Sequence, residues 1–463
     1  MKAPGAILLV ACYELGHQPL AVAWPAAFLE RGGYAPATLD VSVEPLDAEK
    51  VKRARLVAIS VPMHTALRVG VAVAGRVREL SPTCHLCFFG LYATLNAEYL
   101  LARGADSVIG GECEGPLAAL VEALDRGKTG AIPGVARPGM TPTPHLARLA
   151  FPVPSRAGLP GLEKYAHLAR DGRLELAGHV ETSRGCLHHC RHCPIPPVYG
   201  GRFFVVPLEV CLADIRQLVA AGATHVTFGD PDFLNGPGHA LAVARAMHAE
   251  FPRLTFDFTA KVEHLRRHRA RLPELAALGC VFVVSAVESL SDTVLAHLDK
   301  GHTRGDVLEV ARLVRDAGIA LRPTWVPFTP WTTLDDYREM LDFVEAEGLI
   351  DHVDPVQYSI RLLVPPGSLL LRHPAMRPFL GPLVERDFYY TWTHPDRGMD
   401  RLQEGVAAAV ADAAERGEEA AVTFDRVRAL ADVAAERSSR PGVAARLAAD
   451  RVRPPHLTEP WFC

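Results

Sequence analysis

Three cysteines stand close together in the run Glu181-Thr-Ser-Arg-Gly-Cys-Leu-His-His-Cys-Arg-His-Cys193. Cys186, Cys190 and Cys193 have the spacing C-x3-C-x2-C. Thiolates this close in one loop can hold three irons of a [4Fe–4S] cube and leave the fourth iron without a protein ligand. That open iron can chelate a small molecule. A structural zinc site is the competing reading, with His188, His189 or His192 as its fourth ligand. Zinc usually takes its four ligands from two separated pairs, and no second pair lies nearby. A further thiol, Cys463, ends the stretch Pro454-Pro-His-Leu-Thr-Glu-Pro-Trp-Phe-Cys463. Trp461 and Phe462 are poor tail residues unless they dock. A thiolate on a docked tail can bind a soft substrate or quench a radical, whereas a frayed terminus would do neither.

The elements that must position these residues follow from the pattern of the chain. Its 463 residues predict two to four domains. The net charge of −4 carries no block of like charges, which argues against nucleic acid or an anionic membrane as partner. The apolar run at the start is too short for a signal peptide, and no run reaches membrane-spanning length. Ten cysteines, three of them clustered, fit a reducing cytoplasm rather than a disulfide framework. Residues 1–135 alternate short β-branched runs with helical stretches, which means an open parallel sheet covered on both faces. Residues 136–178, rich in Pro and Gly, read as a linker. A second alternating series begins at His179, with strand candidates at 178–182, 225–228, 255–259, 281–285, 320–325 and 355–360. Six such units make a partial (β/α)6 barrel over 179–375, with its chemistry in the loops after the strands. Residues 376–463 read as a mostly helical segment.

The cysteine spacing resembles that of the radical S-adenosylmethionine superfamily. The resemblance implies a [4Fe–4S] cluster whose reduced form splits a sulfonium C–S bond of S-adenosylmethionine, with an electron donor such as flavodoxin or ferredoxin. It extends to Thr227-Phe-Gly-Asp-Pro-Asp-Phe233, where Asp230 and Asp232 would accept from the methionine ammonium or order the loop that does. An Asx-turn with a helix cap explains them equally well. In Ala286-Val-Glu-Ser-Leu-Ser-Asp292, Glu288 would contact the ribose or methionine part of the cofactor, while Ser291-Asp292 caps the next helix and Gly301 ends it. Arg322 and Arg361 fall in strand candidates, where a charge is costly unless paired. The cofactor carboxylate, a substrate anion or a barrel Asp would serve. Tyr358 would sit near substrate, although an aromatic in a strand is more often core. Lys261 is a weaker candidate of the same kind.

Residues 1–135 resemble the Rossmann-like cobalamin-binding domain that precedes many such barrels. The matching stretches contain Ser60, Pro62, His64 and Thr65; Gly90 and Tyr92; and Gly110, Gly111 and Glu112. Their glycines would let backbone approach a nucleotide tail. The Asp-x-His-x-x-Gly motif is missing, so cobalamin would bind without a His ligand from His17 or His64. The tail and Tyr13-Glu-Leu-Gly-His-Gln-Pro-Leu20 resemble a group of radical S-adenosylmethionine proteins whose tails finish Cys-Cys-Ala-Glu-Pro, or the same with selenocysteine second. The expected activity is methyl or other alkyl transfer to a small molecule or peptide. Transfer of a 3-amino-3-carboxypropyl group to a heteroatom such as arsenic is the second enzyme reading, and an Fe–S redox or binding protein is the non-catalytic one.

Overall fold

The computed structural model describes residues 1–128, 130–438, 440–448 and 451–459. Two sheets organise it. The first contains β1 (Ile7–Ala11), β2 (Ala37–Asp40), β3 (Leu56–Ser60), β4 (His85–Phe89), β5 (Ser107–Ile109) and β6 (Val135–Ala136). Their spatial order is β2-β1-β3-β4-β5-β6, parallel except for β6. Ile7, Leu9 and Ala11 enter one apolar core, and Leu8 and Val10 enter another on the opposite face. A strand buried on both faces needs a continuous apolar run, and Ile7–Ala11 supplies one.

The second sheet begins with the antiparallel hairpin β7 (His167–Arg170) and β8 (Arg173–Val180). A short ribbon follows, β9 (Ser183–Gly185) with β10 (Phe203–Val205), and the cysteine loop lies between its strands. Then come β11 (His225–Phe228), β12 (Thr255–Thr259), β13 (Cys280–Glu288) and β14 (Ala320–Trp325). The C-terminal region adds the hairpin β15 (Leu380–Val384) and β16 (Tyr389–Trp392), two helices at Arg397–Glu415 and Ala420–Ala434, and β17 (His456–Leu457). The sheet curls into a half-barrel ordered β14-β13-β12-β11-β8-β7-β17. Strands β8 and β11 to β14 are parallel, and β17 pairs antiparallel to β7. No helix among the described residues is long and apolar enough to cross a membrane.

Three expectations need correction. The sixth barrel strand is absent: Pro355–Tyr358 is a 3-10 turn, started by the Asp354 side chain on the Val356 N–H. The Gln357 side chain takes the hydrogen bond from the Trp325 N–H that a neighbouring strand would have taken. The 136–178 segment is more than a linker, because β7 and most of β8 fall in it. The helix Asp292–Leu298 receives no side-chain cap from Ser291 and ends at Asp299, in left-handed conformation at φ 57°, rather than at Gly301.

Candidate active site

Cys186, Cys190 and Cys193 are unpaired thiols in the loop after β9, the first two buried. Burial pushes the Cys193 thiol up to about 12, with Cys190 and Cys186 adding to the effect. The Cys186 thiol is also raised by burial, against a hydrogen bond to the Asn235 side chain. The thiols thus lie near enough in the loop to feel one another's charge. The Lys300 ammonium interacts with Cys190 and Cys193. Three neighbouring free thiols beside a buried cation suit a thiolate-bound cluster, whose charge needs compensation.

Asp230 does not face open space. Its carboxylate accepts from the Thr182 N–H and Oγ1, each at 2.7 Å, and from Ser183 Oγ at 2.6 Å. Burial outweighs these bonds and pushes the carboxyl up to about 7. Asp230 therefore ties down the chain that leads into the cysteine loop. Asp232 makes the Asx-turn, accepting from the Leu234 N–H at 2.9 Å, and also accepts from the Lys261 N–H at 3.1 Å.

Glu288 closes β13 at φ 65°, a backbone conformation that non-glycine residues adopt rarely. Its Oε1 lies 3.1 Å from Lys300 Nζ and 3.3 Å from His192 Nε2. Burial alone would raise this carboxyl, but Lys300 and His192 hold it at about 2. Glu288 thus links the cysteine loop, through His192, to the end of the fourth barrel strand. From sequence, His192 was considered only as a fourth zinc ligand, and Lys300 was not singled out although the Lys300-Gly301 pair was visible.

The remaining barrel candidates separate. Arg322 lies on β14 and makes no ion pair within 4.0 Å among the described residues. Its buried Nη1 has no hydrogen-bond partner. Arg361 bridges Phe328 in isolation, pairs with Asp400 at 2.9 Å, donates to the Trp392 carbonyl and stacks on the Trp392 ring. Its charge is satisfied by the C-terminal segment, which corrects the catalytic expectation. Tyr358 belongs to the main apolar core, packed edge-on to Phe424 and buried to 1 % exposure. It too is corrected, to a core residue. Cys463, with Trp461 and Phe462, lies outside the described residues.

In the first domain, Ser60 is buried at the end of β3 and Tyr92 is buried against His64. The His64 Nε2 lies 2.7 Å from the Asp387 carbonyl, and Pro62 is half-buried. Gly90, at φ 106°, passes close to the Val61 carbonyl. Gly110 and Gly111 are explained by packing rather than by a ligand. A Cβ on Gly110 would collide with Thr94, and one on Gly111 with the His145 carbonyl. Glu112 is fully buried at the domain junction, accepting from Tyr199 Oη at 2.9 Å.

That junction holds a cation which sequence reasoning missed. Arg184, two residues before Cys186, lies 2.5 Å from Glu114, 2.9 Å from Glu181 and 3.5 Å from Glu112. The guanidinium also faces the Phe151 and Trp24 rings. The acidic motif of the first domain thereby grips the cysteine loop of the second.

The tail enters the barrel. Thr458 exchanges hydrogen bonds with His167, donating its N–H to the His167 carbonyl and accepting from the His167 N–H at its Oγ1. Glu459 is carried to 3.7 Å from His17, whose ring stacks on His179. Burial pushes the Glu459 carboxyl up to about 8, Asp257 adds to it, and Arg322 only partly opposes it. A folded-state acid with a raised pKa keeps a proton that the unfolded chain gives up. It therefore costs stability as pH rises from the free carboxylate range through its folded value. Glu459→Gln removes that cost. The melting temperature of the variant relative to wild type should be unchanged near about pH 5 and a few degrees higher near about pH 8.5. A difference independent of pH would refute this placement.

A cavity of about 560 Å³ opens at the carboxyl ends of β1 and β2, lined by Cys12, Tyr13, Val41, Thr65, Tyr165 and Thr458 among others. A second, of about 710 Å³, shares Thr65 with it and reaches Asp354 and Glu459. The tail residues Thr458 and Glu459 thus stand where the first domain faces the barrel. No histidine lines the first cavity among the described residues.

Residues 180–344 match the radical SAM superfamily. The chain is an enzyme of radical SAM type, and the matched catalytic domain falls on its half-barrel. It is 27% identical over 210 residues to the tRNA-2-methylthio-N(6)-dimethylallyladenosine synthase of Thermus thermophilus, covering 43% of each chain. It is 26% identical over 194 residues to the ribosomal protein uS12 methylthiotransferase of Geobacter sulfurreducens, covering 39% of this chain and 42% of that one. The chain spans less than half the length of these curated relatives. Two solved structures share its fold more extensively. One is the cobalamin-dependent S-adenosylmethionine radical enzyme OxsB, with a TM-score of 0.70 at 14% identity over 88% of this chain and 66% of that one. The other is the radical S-adenosylmethionine methyltransferase TsrM of Kitasatospora setae, solved with cobalamin and a [4Fe–4S] cluster, with a TM-score of 0.61 at 19% identity over 74% of this chain and 73% of that one. The first sheet is accordingly a partner domain of the cobalamin-binding type in fold.

Proposed function

We propose that this enzyme is a cobalamin-dependent radical S-adenosylmethionine alkyltransferase, moving a methyl or other alkyl group to a small-molecule or peptide substrate in the cytoplasm. The observation that carries the reading is the cavity at the carboxyl ends of β1 and β2, walled on its far side by Tyr165 and Thr458 of the barrel half. Ligands of open parallel sheets bind at that edge. A cofactor seated there would face the half that holds the thiols. Bound at these sites, a [4Fe–4S] cluster would supply the electron that opens a C–S bond of S-adenosylmethionine, and cobalamin would carry the alkyl group. Cys186, Cys190 and Cys193 would hold the cluster and leave one iron for the sulfonium substrate. Glu288, ionised at any physiological pH, would accept from its ribose hydroxyls. Cobalamin would lack a histidine ligand, because His17 is stacked on His179 and His64 is engaged by Asp387.

The test is anaerobic reconstitution with cobalamin, S-adenosylmethionine and a flavodoxin or ferredoxin reductant. S-adenosylhomocysteine formed only when cobalamin is present supports methyl transfer. Methylthioadenosine as the sole product would replace it with 3-amino-3-carboxypropyl transfer, and cleavage indifferent to cobalamin would overturn the cobalamin reading. In the same assay Glu288→Gln should retain its iron while binding S-adenosylmethionine at least about tenfold more weakly, roughly 1.4 kcal/mol. Unchanged binding would remove Glu288 from the cofactor site.

A further inference from the structure

Beside the cysteine loop, three side chains from distant parts of the chain point at one spot. His188 lies between Cys186 and Cys190, Asp232 follows β11, and His264 sits on the short helix after β12. One donor atom from each lies within 4.8 Å of the others. His264 Nδ1 is 3.0 Å from Asp232 Oδ2, and His188 Nε2 is 3.7 Å from the same oxygen. The side chains of Asp232 and His264 are 1% and 6% exposed. Both facing nitrogens, His188 Nε2 and His264 Nδ1, are buried without a hydrogen-bond partner. Buried nitrogens without an aligned hydrogen bond are costly, and an ion held jointly by both and by the carboxylate would satisfy them.

We propose that His188, Asp232 and His264 bind one divalent zinc or ferrous ion, separate from anything held by the cysteines. Two imidazoles and a carboxylate form the donor set of both open zinc sites and ferrous facial triads. Tetrahedral donors at zinc bond lengths stand about 3.4 Å apart, and the observed 3.0 and 3.7 Å bracket that value. Asp232 is already aimed, its two oxygens fixed by the Leu234 and Lys261 N–H groups. Metal-bound histidines commonly donate their other nitrogen to a carboxylate. Glu263 stands 3.8 Å from His188 Nδ1 and can take that place.

The same nitrogen now lies 3.1 Å from Lys261 Nζ, which donates to it and leaves the imidazole proton on Nε2. Metal binding needs the opposite tautomer. The ion takes the Nε2 lone pair, a proton is lost from Nε2 to solvent and one is gained at Nδ1, and the Lys261 ammonium turns to Glu263, 3.5 Å away. The loaded ion would tie the cysteine loop to the ends of β11 and β12 and keep a fourth position for water or a ligand.

The experiment is metal analysis of the anaerobically reconstituted full chain, washed after incubation with either zinc or ferrous ion. The expected result is about one zinc, or one extra iron, per chain beyond the cluster iron. The ion retained under equal competition says which of the two it is. Asp232→Asn and His264→Gln should each weaken retention of this extra ion by at least about tenfold while the cluster iron stays. Folding of both variants is checked by melting temperature, and the conservative pair guards against one failing to fold. Cobalt(II) added to a variant with all three cluster cysteines changed to Ser should give the visible bands of a nitrogen–oxygen site, lost on adding His264→Gln. An absent extra ion, or one that both variants keep, would overturn the site. The cluster reading is scored separately, because it rests on the sulfide and cluster iron.

Discussion

Alanine at Cys186, Cys190 or Cys193 should remove most of the cluster iron and sulfide and lower S-adenosylmethionine cleavage by at least about a thousandfold, roughly 4 kcal/mol of transition-state stabilisation. The reason lies in the loop geometry. Each thiol would hold one iron, and no other free cysteine lies in this loop to replace it. The fold should survive, because the loop is anchored independently through the Asp230 bonds to Thr182 and Ser183. Iron and sulfide analysis with far-ultraviolet circular dichroism separates the two effects. Stoichiometric zinc without labile sulfide in the wild-type chain would overturn the cluster assignment.

Arg184→Ala should destabilise the protein by about 3–5 kcal/mol near neutral pH, the usual result of stripping the counter-charge from a buried ion network. Glu112 and Glu114 are 0% and 2% exposed and cannot recover water in compensation. Burial already pushes the Glu112 carboxyl up to about 7, with Arg184 opposing the rise. Without the guanidinium it rises further. The folded wild type releases this proton near about 7 and the folded variant only above that, so the part of the deficit carried by Glu112 grows as pH climbs through about 7. Melting curves of variant and wild type should lie closest at about pH 5 and separate further between about pH 7 and about pH 9. A deficit that is the same across this range would mean that Arg184 acts by packing on Trp24 and Phe151 rather than by charge.

Chemistry carried by neighbouring residues was legible in the sequence; chemistry assembled across the fold was not. The three cysteines announce themselves by spacing, and Glu288 by its place at a strand end. The apolar run Ile7–Ala11 could hardly be anything but a buried strand. Arg184 looks like any loop arginine until the first domain brings Glu112 and Glu114 to it, 72 and 70 positions away. The same distance in sequence hid the meeting of His188, Asp232 and His264. Gly110 and Gly111 were read as room for a ligand, yet the space they leave is filled by Thr94 and His145. Arg361 and Tyr358 were placed on a strand, and a strand assignment decides which way a side chain faces. Pro355 and the Asp354 cap turn that segment into a 3-10 turn instead. One faces the C-terminal helix and the other the core.

The wall that β17 adds to the half-barrel has a consequence of its own. It is held by a two-residue ladder to β7 and the bonds of Thr458 to His167. The cysteine loop, which follows β8 and β9, is fastened by buried ions and a fully enclosed carboxylate. Free energies of local opening follow such differences. Local opening should therefore begin at the short β17 ladder before it reaches the cysteine loop.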